Sequence, residues 1–307
     1  MSVQKGLACV TGGTGMVGKK IVDHLLAEGY GVRVLTRKAL IDQPRLSYIT
    51  GDLRDQEVLN RFVSGADIVF HCAAELHDVS MMQSSNVEAT EALITACQSQ
   101  PIRYFCFISS AGVVGLTNTL VVDESTPCNP QNEYEVTKAA AELLVAQHKP
   151  GTTTVMLRPT NVVDSDKPGV FVMAKEGGLA NRLKVFIKGG ECAHLVHAHD
   201  VAAAAVFFIS HEFEKPECFF VSRDDDPLNT VAGVWNTYRT YRRVEDDHRE
   251  KDVLYLPHWL PRYLRKIFGR NSNSGKVIYS AEKLKAFGFE FLYGVDAMAL
   301  ELVVKNG

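Results

Sequence analysis

Tyr134 and Lys138 stand four residues apart in the run Tyr134-Glu135-Val136-Thr137-Lys138, a spacing that places both side chains on one face of a helix. A phenol ordinarily titrates near ~10, and a neighbouring ammonium favours the phenolate. The pair is therefore suited to taking or giving a proton at a substrate oxygen. Ser110 follows the apolar run Tyr104-Phe105-Cys106-Phe107-Ile108. Its hydroxyl can bond a substrate oxygen and stabilise the charge that builds on it.

A second constellation lies upstream, where Thr11-Gly12-Gly13-Thr14-Gly15-Met16-Val17-Gly18 separates a short apolar run from a helical pattern. In that strand–turn–helix context, Gly12 permits the tight turn, Gly15 lets backbone approach a pyrophosphate and Gly18 lets helix and strand pack closely. The helix start then offers unpaired N–H groups to phosphate. Gly12, Thr14, Gly15, Met16 and Val17 are accordingly expected to hold a dinucleotide. The second strand ends in Thr36-Arg37-Lys38, with no acid before Asp42. A carboxylate there would serve the ribose 2′-OH of NAD. Arg37 instead suits a 2′-phosphate, so NADP is expected over NAD.

The elements that must carry these groups alternate. Apolar runs at 7–10, 32–36, 46–49, 66–70, 104–108 and 153–157 read as strands. The stripe Val17, Ile21, Leu25, Leu26 and residues 86–98 and 133–148 read as helices. Strands with no polar alternation, interleaved with helices, imply an α/β fold, a Rossmann-type doubly wound parallel sheet. Beyond Pro159 the order loosens, with a helix at 201–209 and a strand at 218–221. We expect a dinucleotide-binding domain over 1–163 and 195–222, and a smaller C-terminal substrate lobe over 164–194 and 223–307.

Composition bounds the remaining classes. Of 307 residues, 46% are apolar and 22% charged, and 33 basic against 36 acidic residues give a net charge of −3. This excludes a generally basic nucleic-acid binder, and no nucleic-acid partner is expected. No apolar run reaches the ~18 residues of a spanning helix, and the N-terminus lacks the pattern of a secretory signal. The seven cysteines form no CxxC pair and read as reduced thiols of a cytoplasmic protein.

Together these segments resemble the extended short-chain dehydrogenase/reductase family, which includes NAD-dependent epimerases/dehydratases and 3β-hydroxysteroid dehydrogenase-like enzymes. The resemblance rests on the GxxGxxG loop, Gly51-Asp52-Leu53, His71-Cys72-Ala73-Ala74, Asn86-Val87-Glu88-Ala89-Thr90, Ile108-Ser109-Ser110-Ala111, Val122-Asp123-Glu124-Ser125-Thr126-Pro127, the Y-x-x-x-K motif and Arg158-Pro159-Thr160-Asn161. It implies Ser110, Tyr134 and Lys138 as catalytic residues, with Lys138 also holding the nicotinamide ribose. It further implies Asp52, Leu53, Cys72, Ala73, Ala74 and Pro159 as cofactor contacts, and Asn161 as a substrate contact. The family often dimerises through the helices that carry Tyr134 and Asn86. Ala92, Leu93, Ala96, Ala139, Ala140, Leu143 and Leu144 permit a homodimer here.

The sequence departs from the sugar-nucleotide branch in two places. Ala193 stands where an arginine commonly grips a pyrophosphate, leaving His194, Arg182 and Lys184 as anion ligands, and Val114 stands where many sugar epimerases carry tyrosine. His197 is expected to be structural. No zinc or other metal site is expected, because no cysteine or carboxylate falls at ligand spacing from His194, His197 and His199. The stretch 258–270 is basic and amphipathic, and is expected as a lid helix rather than a membrane contact.

The activity expected is an NAD(P)-dependent oxidoreductase or epimerase reaction at a hydroxyl or keto carbon of a small-molecule substrate, most simply a nucleotide-linked sugar. The alternatives are a reductase of a steroid-like or other hydrophobic compound, and a non-catalytic dinucleotide-sensing protein.

Overall fold

The computed structural model describes residues 5–148, 151–243, 253–257, 260, 273 and 275–306. The stretch 258–270 therefore lies outside the described residues except for Leu260. Contacts divide the chain into two compact units. The first is Met1–Gly115, Cys128–Arg158 and Val201–Phe219; the second is Leu116–Pro127, Pro159–Asp200 and Phe220–Gly307. The second unit thus also takes the short segment 116–127, because β6 (Val121–Val122) pairs in parallel with β11 (Ile278–Tyr279).

The first unit is built on β1 (Leu7–Thr11), β2 (Gly31–Thr36), β3 (Leu46–Thr50), β4 (Ile68–His71), β5 (Tyr104–Ile108) and β7 (Thr153–Pro159). With β10 (Glu217–Val221) they form a seven-stranded sheet in the order β10-β7-β5-β4-β1-β2-β3. The pairs β1–β2, β1–β4, β2–β3, β4–β5 and β5–β7 are all parallel. This is the Rossmann-type doubly wound α/β architecture expected from the uninterrupted apolar strands. Strand order reverses between β1 and β4, and ligands of such sheets bind beyond the strand ends at that reversal. β5 is buried along its whole length, which is why its sequence shows no polar alternation.

The helices of this unit are α1 (Met16–Ala27), α2 (Gln56–Val63), α4 (Ala89–Gln98), α5 (Glu133–Val145) and most of α8 (Ala198–Phe207). A short α3 (Val79–Met82) runs through a π turn, Gln83–Glu88, into α4. Helix α2 has no counterpart in the sequence reading, although its start is marked: Asp55 accepts from the backbone N–H groups of Glu57 and Val58, as an N-cap does. Its apolar face (Val58, Leu59, Phe62, Val63) joins Leu93, Cys97, Phe105 and Phe107 in one core.

In the second unit β8 (Asn161–Val163) pairs in parallel with β9 (Leu195–His197). The stretch 164–194, read as a loosened segment, holds α6 (Phe171–Glu176) and α7 (Gly178–Lys188). Glycines at 177 and 178 separate them with positive φ, which hides the period from a sequence reading. Phe171, Ala174 and Val185 of these helices pack with Trp235 and Tyr238 of α9 (Val231–Arg243) and with Met298 and Leu302 of the terminal helix Val295–Asn306.

Candidate active site

The glycine loop joins β1 to α1. Gly12 has φ +65°, and a Cβ there would lie 2.7 Å from the Ala73 backbone nitrogen. At Gly18 a Cβ would collide with the Gly12 carbonyl oxygen, so both positions accept only glycine without rearrangement. Gly15 caps α1 without any side-chain hydrogen bond, and the first turn carries no acid. The N–H groups at this helix start are left for an anion. Thr14 and Gly15 are exposed, Met16 and Val17 half-buried. These residues fit the pyrophosphate of a dinucleotide.

A buried polar chain fixes the neighbouring strand end. Thr11 and His71 face each other across β1 and β4, with Thr11 Oγ1 2.7 Å from His71 Nδ1 and His71 Nε2 2.8 Å from Thr90 Oγ1. Burial, aided by the charge of Lys138, pushes the imidazole down to about 3, so it is neutral at pH 7. Thr90 already donates to the Asn86 carbonyl, so it accepts from Nε2–H, and Nδ1 accepts from Thr11. Thr11 Oγ1 in turn accepts from the N–H groups of Cys72 and Ala73. That holds the Cys72-Ala73-Ala74 segment against the glycine loop.

Asn86 sits in the π turn and is buried and fully paired. Its Oδ1 accepts from Glu75 N, and its Nδ2 donates to Glu75 O and to Thr137 Oγ1. It thereby ties the loop after β4 to α5, between the two residues of the Y-x-x-x-K motif. Such π turns recur at functional sites.

Helix α5 starts on Asn132, whose side chain accepts from Glu135 N. Tyr134 is half-buried and Lys138 is buried. Ser110 leaves β5 in an extended conformation, and its Oγ accepts from Gly112 N at 3.1 Å. The Ser110 side chain lies close enough to the Tyr134 phenol to pull it down, so these two groups are neighbours. Ser109 is 3% exposed and its hydroxyl turns into the interior. Lys138 Nζ donates to the Ile108 carbonyl at 2.6 Å and stands 3.9 Å from the centre of the Phe107 ring.

One electrostatic expectation is corrected. The phenol of Tyr134 is raised above its ordinary value, because burial outweighs the downward pull of the Ser110 side chain. Burial also drives Lys138 down to about 7, against the upward pull of Glu142 and Cys72. The amine is turned onto Ile108 and Phe107, so it does not act on the phenol in this conformation.

Arg37 is exposed at the end of β2. Asp52 is held down at about 2, chiefly by hydrogen bonds from Arg54 and lastly by the charge of Arg37. Leu53 packs on the core beneath it. Arg158 on β7 makes a two-point ion pair with Glu142 of α5, at 2.9 and 2.7 Å, with both side chains buried. Its position thus locks α5 onto the sheet, a role the motif alone did not reveal.

The other expected site residues belong to the second unit. Pro159 is buried at the end of β7. Asn161 is exposed and its Nδ2 donates to the Ala193 carbonyl. Arg182 is exposed on α7. His194 is bound to Asp224 at 2.6 Å, and Ala193 is 4% exposed. His197 is buried, stacked on Tyr293 at 3.9 Å and 3.0 Å from the Glu301 carboxylate. The Val122–Pro127 loop is self-fastened through Asp123, and Glu124 accepts from Phe220 N at 2.7 Å.

A doubly wound sheet with an uncapped glycine loop at its order reversal defines a dinucleotide-binding protein. The chain belongs to the NAD dependent epimerase/dehydratase family, whose model matches residues 8–221. It is 31% identical over 212 residues to a sterol-4-alpha-carboxylate 3-dehydrogenase, decarboxylating, of Dictyostelium discoideum, covering 63% of this chain and 64% of that protein. It is 30% identical over 252 residues to a 3 beta-hydroxysteroid dehydrogenase/Delta 5-->4-isomerase of Mycobacterium tuberculosis, covering 75% and 68%. The chain spans about half to two thirds of the length of the curated relatives it matches. Solved structures share the fold, two of them as follows. The Bordetella bronchiseptica enzyme WbmH in complex with NAD+ has a TM-score of 0.75 at 18% identity, covering 97% of each chain. The UDP-Glc/GlcNAc 4-epimerase of Campylobacter jejuni has a TM-score of 0.73 at 16% identity, covering 97% of this chain and 98% of that one. Among the described residues no helix is long and apolar enough to cross a membrane.

Proposed function

We propose that this chain is an NAD(P)-dependent oxidoreductase that interconverts a secondary alcohol and a ketone. The Ser110 side chain beside the Tyr134 phenol, one helical turn from the buried Lys138, carries this reading. The cofactor supplies or accepts the hydride. Gly12, Gly15 and the start of α1 hold its pyrophosphate, and Arg37 its adenosine end. Ser110 directs its hydroxyl at the substrate oxygen. Tyr134, raised by burial, is protonated across the neutral range and gives its proton to that oxygen as the hydride reaches carbon. Ser110 stabilises the negative charge that builds on that oxygen before the proton arrives. Lys138 positions the ribose and, when turned towards Tyr134, lowers the phenol.

For the substrate, the buried Ala193 favours a hydrophobic hydroxy or keto compound over a nucleotide-linked sugar. A methyl group stands where a pyrophosphate-gripping guanidinium would be needed, and the neighbouring His194 is engaged by Asp224. The named activities of the sterol and steroid dehydrogenase relatives support the same class. Arg37 supports NADP over NAD. The test is nicotinamide oxidation with NADPH and NADH against a steroid ketone and a keto-sugar nucleotide. NADPH-dependent reduction of the steroid ketone is expected; turnover of the keto-sugar nucleotide alone would reverse the substrate assignment. Arg37→Glu is expected to weaken NADPH binding at least tenfold, with NADH little changed, measured by fluorescence titration. A homodimer through α5 belongs to the same reading, supported by the exposed Val136 and Leu143 on that helix.

A further inference from the structure

We propose that Cys192, His194 and Asp224 form a binding site for one zinc-class divalent ion. Their ligand atoms all lie within 4.8 Å of one another. Sequence spacing concealed this, because Asp224 arrives from beyond β10, thirty residues after His194.

One feature of the buried carboxylate points to an ion, and the backbone around His194 is preset for it. Asp224 has a fully buried side chain. Its Oδ2 takes His194 Nδ1 at 2.6 Å and the Tyr279 N–H at 2.9 Å, while no N–H or O–H donor among the described residues reaches its Oδ1 and the Cys192 thiol is the neighbour facing this carboxylate. A buried carboxylate oxygen without a donor costs free energy unless a cation satisfies it. His194, moreover, is one of two non-glycine residues with positive φ among those described, at +54°. That conformation is sparsely populated for such residues and persists only where the surroundings impose it.

The surroundings do impose it. Asn229, 1% exposed, accepts from Ala193 N on its carbonyl and from Leu195 N on its Oδ1, and its Nδ2 donates to the carbonyls of Leu195 and Arg223. The Cys192 N–H donates to the Gly275 carbonyl, and the Asn161 N–H to that of His194. Both ligand-bearing loops are thus fixed by one buried amide, which is the support a metal site needs around its ligands. The Cys192 thiol, 3.2 Å from the Asn229 carbonyl, and the proton between His194 and Asp224 are what the ion would displace.

The donor set selects the metal. One thiolate, one imidazole and one carboxylate suit zinc and disfavour magnesium or calcium, which take oxygen ligands. Three protein ligands leave a fourth position, and the His194 side chain is 24% exposed, so that position faces solvent. The ion would tie the loop before β9 to the segment after β10.

The test is cobalt titration of the chelator-stripped, desalted chain in a non-coordinating reductant. One equivalent of Co2+ should bind and give thiolate-to-cobalt charge-transfer absorption. The band should vanish in Cys192→Ser, persist in Cys128→Ser, which removes an exposed thiol, and need at least tenfold more cobalt in Asp224→Asn. No band in the parent chain, or a band surviving in Cys192→Ser, overturns the proposal. Should Cys192→Ser not fold, X-ray absorption on the zinc-loaded parent chain decides. One sulfur at ~2.3 Å with nitrogen and oxygen ligands near ~2.0 Å is expected, and a shell without sulfur overturns it.

Discussion

Lys138 is where residue chemistry and stability pull apart. Its amine is buried against an aromatic ring, with a backbone carbonyl as its hydrogen-bond acceptor, and burial pushes it down to about 7. The unfolded chain keeps this proton up to the ordinary lysine value of ~10.4, whereas the folded chain loses it near 7. Over that window the unfolded state binds more protons, so folding stability rises with pH. Lys138→Met removes the effect. The cofactor-free parent chain should gain Tm relative to Lys138→Met as pH climbs from 7 to 9, and below 7 the variant should be the more stable. A Tm difference that stays flat across this range would show that the amine is not desolvated as described. The same variant should lose activity, because a thioether can neither hold a ribose hydroxyl nor lower a phenol.

Among the elements, α5 matters most, since it carries both residues of the Y-x-x-x-K pair. The Arg158–Glu142 ion pair and the Asn86–Thr137 hydrogen bond hold it. Breaking a buried pair from one side leaves an uncompensated charge. Glu142→Gln should therefore destabilise the fold by about 3 kcal/mol in urea titration, with Glu142→Leu/Arg158→Met recovering most of it. If Glu142→Gln costs nothing, the pair does not anchor the helix. This fastening was not legible in the sequence. Arg158 was visible as a motif member, but its partner lies sixteen residues away on another element. The strands were legible, because burial on both faces leaves an unmistakable apolar run. So was α1, whose glycine entry and apolar stripe are local signals. Helices α6 and α7 were not, because paired glycines and a short first helix break the period. His194 shows the same limit in the site: its own neighbours suggested an anion ligand, and only the fold supplies Asp224.

At the scale of the whole molecule, the order β10-β7-β5-β4-β1-β2-β3 places the glycine loop, the Thr11–His71 pair and Ser110 at strand ends of one sheet. It is this shared end, rather than any single motif, that gives the constellation its meaning. Helix α5 presents Leu143, 68% exposed, and Val136, 45% exposed, an apolar strip suited to a second copy. Leu93 and Ala96 of α4, which could serve a dimer or pack on the sheet, are spent in the core. Leu143→Glu should convert a dimer to a monomer in sedimentation; an unchanged mass, or a monomeric parent chain, would remove this helix from any interface. The central claim is that Tyr134 moves the proton while the cofactor moves the hydride. It is tested most directly by Tyr134→Phe, with ketone reduction and NADPH binding measured on the same preparation. Turnover should fall at least a hundredfold while the NADPH dissociation constant stays within about twofold. Turnover retained in the variant would contradict it.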